Sequence, residues 1–428
     1  MKFNLQNMNL TYIHAQNYRC FRELNVNFKP GINLFIGDNA SGKTTILELG
    51  QTVCSSFLSG YHDENCTFKG LNKNAISDFS VGETIETAKP IDVEFKLFGV
   101  DGSMSLTPGE GNRTTKKGLN SIRAYGRKLY NETDLNDSTS EGLPVLVAFS
   151  TGDIHLKGSP DKTNYTKYLQ RASFGYRDCF SQFGLLDYWV LRFLALEEAK
   201  KCPEELASVR KSILLALGAD GMDIIKDIAI RLYSGGLYLI FKDGRETAVR
   251  NLSDGYRRLL DIVLDIAFRC ALLNKRIFGE DSGQKTSGVV FIDEIDLHLH
   301  PALQSKIFKG LQNAFPNIQF IATTHAPLVI SGIPNTENNQ VLKLKYSEEE
   351  GYTQQLVSGY GQDASAIMSD ILNAPTMDTE IQSTIANINS LIDNQRLKEA
   401  SAALEALRLK IGNTTEVTKL STDISFAE

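Results

Sequence analysis

The chain of 428 residues is long enough for two or three domains with a large buried core. Its 42% hydrophobic and 22% charged content is that of an ordinary globular protein, and a net charge of −6 excludes a global basic field for nucleic acid or anionic lipid. No apolar run approaches the ~20 residues of a membrane helix. The opening "MKFNLQNMNL" lacks a signal-peptide pattern, and the six cysteines are scattered without a CxxC pair, so reduced thiols and a cytoplasmic location are expected.

The first elements are strands: "LTYIHAQNYRCF", "LNVNF" and "INLFI" alternate in hydrophobicity, and the last runs into a glycine-containing loop followed by the helical "TTILELGQTVCSSFL". Cys54, His62 and Cys66 follow, at a spacing that fits no standard zinc pattern. Further strands are expected at "IDVEFKLFG" and "VLVAFS". Between them lies the one notable basic run, with Arg113, Lys116, Lys117, Arg123, Arg127 and Lys128, which reads as a solvated loop or hairpin. Residues 165–232 are mostly helical in pattern, and "GLYLIFKDGRETAV" is a short β segment turning at Asp243-Gly244. A long amphipathic helix, the strand "GVVFID", another helix, the strand "IQFIATTH" and a strand near "QVLKLKY" complete an α/β alternation with a largely parallel central sheet. At the end, Ile381, Ile385, Ile388 and Ile392 form one helical face and Leu397, Ala400, Leu404, Leu407 and Ile411 another. This predicts a helical hairpin, with a loose tail after Gly412.

Three motifs carry chemistry. "GDNASGKT", Gly37 to Thr44, matches G-x-x-x-x-G-K-[ST] between a strand and a helix, the context this phosphate loop needs. Gly37, Asp38, Asn39, Ala40, Ser41 and Gly42 offer successive backbone N–H groups, Lys43 reaches β/γ oxygens, and Thr44, followed by Thr45, is a Mg²⁺ ligand. "VVFIDEIDLHLHP" sets Asp293 at the carboxyl end of a buried strand as the second Mg²⁺ ligand, with Glu294 placed to polarise a water. His325 in "FIATTHAP" emerges at the same sheet edge, where it can bond the γ-phosphate or the attacking water. His298 and His300 are expected to cap a helix or brace the site. The cofactors are therefore ATP and Mg²⁺.

Together these motifs resemble the ABC-type P-loop ATPases, and the opening "LTYIHAQNYRCFRELNVNFKPGINLFIGDNASGKTT" is similar to the RecF, SMC and OLD branch. Ala40 departs from that branch's usual glycine. The resemblance implies that Arg19 lies near the phosphates, that Asp296 is the D-loop aspartate, and that "LSDGYRRLLDI" stands in the signature position. Ser253 and Gly255 would then act in trans, on ATP held by a second head in a head-to-tail homo-oligomer. Within the branch, the signature stretch and the C-terminal "YGQDASAIMSDIL" with its hairpin resemble the PtuA ATPases of Septu and retron anti-phage systems. That likeness implies an HNH-type nuclease partner (PtuB-like) regulated by an ATPase with no nuclease site of its own. The alternative is a RecF-like repair ATPase that binds nucleic acid directly, for which the basic run would speak. The expected domains are an N-terminal ATPase lobe (1–150), a helical insertion (151–235), a C-terminal ATPase lobe (236–346) and the hairpin with tail (347–428).

Overall fold

The computed structural model describes residues 8–427 except 62, 77–79, 82–83, 86–88, 108–113, 116, 135–141, 152–161, 169, 182–183, 232, 234–235, 348–350 and 376. His62, Arg113 and Lys116 thus lie outside the described residues. The chain forms two compact units, Met1–Asp363 and Ala364–Glu428.

In the first unit β1 (Leu10–Tyr18) and β2 (Phe21–Asn27) lead to β3 (Ile32–Gly37), the phosphate loop and α1 (Lys43–Leu58). Next come β4 (Ile91–Leu97), β5 (Val100–Leu106), α2 (Asn120–Asp134) and β6 (Val145–Phe149). The helices α3 (Leu186–Ala199) and α4 (Pro203–Leu217) precede three short antiparallel strands, β7 (Ile225–Arg231), β8 (Gly236–Phe241) and β9 (Glu246–Ala248). The unit continues with α5 (Asp254–Phe278), β10 (Gly288–Ile292), α6 (Ile307–Ala314), β11 (Ile318–Thr323), β12 (Gln340–Ser347) and β13 (Gly351–Val357).

A six-stranded sheet in the order β13-β12-β3-β11-β10-β6 is the core. All its pairings are parallel except β12 with β13. Every residue of β3, β10 and β11 is buried, as expected of largely apolar strands when both faces of a sheet are covered. Parallel pairing aligns their carboxyl ends, so Gly37, Asp293 and Thr323 fall on one edge. A second, antiparallel sheet holds β2, β1, β4 and β5 with the short strand Thr114–Thr115.

The helical layer carries buried charge. α5 is buried without interruption from Arg258 to Asn274. On it, Asp265 Oδ1 accepts from Trp189 Nε1 (2.5 Å) and Arg269 Nε (2.9 Å), while Arg269 Nη1 donates to the carbonyls of Gly175 and Arg177. Between α3 and α4, Arg192 Nε donates to Glu205 Oε1 at 2.6 Å, and Lys275 Nζ of α5 reaches Glu205 Oε2 at 2.5 Å.

Two sequence expectations change. The described part of the basic run is not a loop: Arg123, Arg127 and Lys128 lie on α2. Arg123 Nε and Arg127 Nε donate to the carbonyls of Ser59 and Gly60, at the end of α1, and Lys128 pairs with Glu132 one turn on. Helical spacing was present but masked by the polar character of the face.

The second correction concerns the tail. In the second unit α7 (Thr379–Asp393), capped by Asp378, and α8 (Leu397–Ile411) form the expected hairpin, and the tail adds a third helix, α9 (Thr415–Ala427). Val417, Leu420 and Ile424 are buried with Ile388, Ala400, Leu404 and Leu407. A two-helix hairpin leaves its apolar stripe half covered; the i, i+3, i+7 spacing of α9 completes that core.

Candidate nucleotide site

The phosphate loop turns sharply from β3 into α1. Gly42 is the N-cap of α1 at φ 92, and an added Cβ would stand 2.4 Å from the Phe21 ring, so only glycine fits. No side chain caps α1 and its first turn holds no acid, which leaves the helix N-terminus open to an anion. Lys43 Nζ donates to the carbonyls of Gly37 (2.9 Å) and Asp38 (2.8 Å). Burial lowers the Lys43 pKa below the usual lysine value, opposed by Asp293, Asp38 and Glu294. An ammonium held in that way gains from an incoming phosphate. Asp38, Asn39 and Ala40 are exposed, Ser41 is buried, and Thr45 is partly buried on α1.

Ala40 adopts φ 65, which explains why glycine is usual there. Its carbonyl accepts from Tyr352 Oη at 3.4 Å. Ala40→Gly is expected to stabilise the protein by about 1 kcal/mol, read as a higher urea midpoint at unchanged slope. An unchanged or lower midpoint would show that the loop does not strain this residue.

The acidic half assembles across the sheet. Thr44 Oγ1 donates to Asp293 Oδ2 (3.1 Å) and lies 3.3 Å from Oδ1. Thr323 Oγ1 donates to Asp293 Oδ1 at 2.6 Å and accepts from the Glu294 N–H at 2.8 Å. Glu294 sits at φ 48, a left-handed conformation that turns the chain away from β10 immediately after the aspartate. Thr324 Oγ1 bonds Asp296 Oδ1 and accepts from the Ala326 N–H, next to the exposed His325. His300 caps the helix that follows: its Nδ1 accepts from the Ala302 N–H at 3.2 Å.

Sequence reasoning overlooked Thr323 and Thr324, although "ATTH" displayed them. Their role depends on β11 lying beside β10 in parallel register, Ile292 opposite Ala322, which no local motif announces. It also overlooked Glu48. Arg19, at φ 49 in the β1–β2 turn, pairs with Glu48 on α1, one turn beyond Thr44.

Thr44, Asp293, Thr323 and Glu294 thus form one hydrogen-bonded cluster. Ser253 and Gly255 lie at the start of α5, outside this hydrogen-bonded cluster. Ser253 is the N-cap, yet it is exposed and its side chain makes no capping bond. The neighbouring side chains are engaged within the chain. Arg257 reaches Asp187 (3.3 Å) and the Val249 carbonyl (3.4 Å), Tyr256 packs edge-on against Phe241, and Arg258 is buried over the Phe149 ring.

Among the described residues no helix is long and apolar enough to cross a membrane. Residues 98–331, more than half of the chain, match the family described as "AAA domain, putative AbiEii toxin, Type IV TA system", and residues 8–180 match "AAA ATPase domain". The chain is similar to the "Retron Ec83 probable ATPase" of Escherichia coli, at 42% identity over 77% of this chain and 71% of that protein. It is also similar to the "Retron Vc95 probable ATPase" of Vibrio cholerae serotype O1 biovar El Tor, at 27% identity over 91% of this chain and 84% of the relative. The "Septu protein PtuA" of Bacillus thuringiensis is 26% identical over 82% of this chain and 80% of its own length. With a phosphate loop and an acidic strand end bonded into one cluster, the chain belongs to the ATPase family of these retron proteins and is close to Septu PtuA.

Proposed function

We propose that two of these heads close head-to-tail around ATP and that this cycle controls a partner nuclease of HNH type in anti-phage defence. The observation that carries the proposal is the start of α5: an exposed N-cap serine whose side chain leaves the helix N-terminus uncapped. A helix end of this kind suits phosphate, while the phosphate loop of the same chain is joined to its own Asp293 through Thr44. Ser253 and the α5 N-terminus therefore serve ATP on a second head.

Within one site the roles follow from position. Lys43 moves from the loop carbonyls to the β/γ oxygens. Thr44 and Asp293, hard oxygen donors already in contact, would hold Mg²⁺, which neutralises charge on the β- and γ-phosphates when bound. Glu294 accepts the proton of the water that attacks the γ-phosphorus, as the bond to the ADP oxygen breaks. His325 orients that water or the γ-phosphate, Thr323 holds both carboxylate residues in place, and Arg19 reaches the phosphates from Glu48.

Purification of the native complex tests the function. A stoichiometric nuclease is expected with the ATPase. A nuclease-free ATPase that binds DNA tightly, with affinity falling steeply with salt, would refute the reading.

A further inference from the structure

Gly255 poses a question that the shared site does not answer. It lies inside α5, where its backbone angles suit any residue and alanine would be favoured by about 1 kcal/mol. Its surroundings explain the glycine. It is buried, and an added Cβ would stand 2.3 Å from the carbonyl oxygen of His298 and 3.7 Å from Leu299 Cα in the same chain. The turn it touches is the one that carries the acidic residues. Glu294 (φ 48) and His298 (φ 61) both take left-handed conformations there. The Leu297 N–H donates to the Glu294 carbonyl at 3.0 Å, and the Leu299 N–H to the Asp296 carbonyl at 2.9 Å. Thr323 and Thr324 grip this turn from the sheet side, through Asp293, the Glu294 N–H and Asp296. α5 backs it from the other side.

We propose that Gly255 is a positioning residue for its own chain's site, setting the turn that carries Asp293, Glu294 and Asp296 through its contact with the His298 carbonyl. The proposal rests on the shared-site reading for its consequence. The segment that engages the partner's ATP would also set the hydrolytic carboxylates of its own head. The two sites of a dimer are then coupled through backbone packing: closure on one nucleotide presses α5 onto the turn that serves the other. Two left-handed residues and the turn bonds Leu297–Glu294 and Leu299–Asp296 leave the turn little freedom to absorb such a push.

Heterodimers separate the two roles of Gly255. A Lys43→Ala chain is mixed with a Ser253→Arg chain or with a Gly255→Ala chain, exchange is verified by tag co-purification, and ATP hydrolysis is measured. In both mixtures the one site with an intact phosphate loop uses the wild-type signature of the Lys43→Ala chain. The Ser253→Arg mixture is expected to recover turnover. The Gly255→Ala mixture is expected to remain about 100-fold lower, since a displacement near 1 Å at a catalytic group costs that much. Gly255→Ala should still bind ATP measurably, because Lys43 and the backbone N–H groups of its phosphate loop are untouched. Equal recovery in the two mixtures overturns the proposal, leaving Gly255 a role in trans alone. No recovery with Ser253→Arg instead refutes the shared site. The Gly255→Ala protein alone then decides, and retained hydrolysis overturns the proposal. Should Gly255→Ala fail to bind ATP, His298→Gly replaces it. Freeing that turn is expected to hold its mixture below the Ser253→Arg level, and full recovery overturns the proposal.

Discussion

Glu294→Gln is expected to lower ATP hydrolysis by about 10²- to 10⁴-fold, the range for removing a general base, while leaving ATP binding intact. The amide keeps the size of the side chain and the backbone bond from the Glu294 N–H to Thr323. It removes the group proposed to take the proton from the attacking water. In the proposed cycle binding drives closure and hydrolysis releases it, so the variant should accumulate as an ATP-dependent dimer. Single-turnover hydrolysis and sedimentation with and without ATP check both halves. Wild-type turnover would remove Glu294 from the mechanism. Loss of ATP binding would show that the side chain holds the nucleotide instead of acting on water.

Lys43→Ala is expected to weaken ATP binding by about 100-fold or more, because charge-assisted bonds to phosphate contribute roughly 1.5–3 kcal/mol each. The fold should survive, since only two bonds are lost, to the carbonyls of Gly37 and Asp38, and the surrounding sheet and α1 are untouched. Burial already disfavours the ammonium in this position, so removing it relieves a cost in the empty protein while forfeiting the gain with phosphate. Titration with a fluorescent ATP analogue measures the loss, and a melting curve checks the fold. Near-normal affinity would mean that the backbone N–H groups and the α1 N-terminus hold the triphosphate unaided.

The parts legible from sequence were those in which chemistry and backbone share a short stretch. The phosphate loop needs its glycines and lysine within eight residues, and the acidic pair needs only a buried strand to define which end it occupies. The central sheet was readable for the same reason: "INLFI", "VVFI" and "IQFIA" are apolar except for Asn33 and Gln319, whose side chains bond backbone carbonyls, because both faces are covered. What escaped depends on neighbours distant in the chain. Thr323 is an ordinary strand residue until β11 aligns with β10. Arg123 and Arg127 read as loop residues until their helix brings them beside the carbonyls at the end of α1. The tail looks loose until α7 and α8 expose a stripe for Val417, Leu420 and Ile424 to cover. Ser253 shows the converse. The sequence pattern fits a capped helix, and the side chain makes no cap.

The buried charges of the helical layer have a consequence for how the head can move. Arg192, Glu205 and Lys275 tie α3, α4 and α5 together, while Asp265 and Arg269 fasten α5 to Trp189 and to the carbonyls of Gly175 and Arg177. Sliding any of these helices by one turn would strand an ionised group away from water, at a cost of about 3–5 kcal/mol per broken pair. Apolar ridges alone would permit such slippage; fixed ionic partners admit one register. The layer is therefore held to one register, and a displacement of α5 is expected to carry α3 and α4 with it.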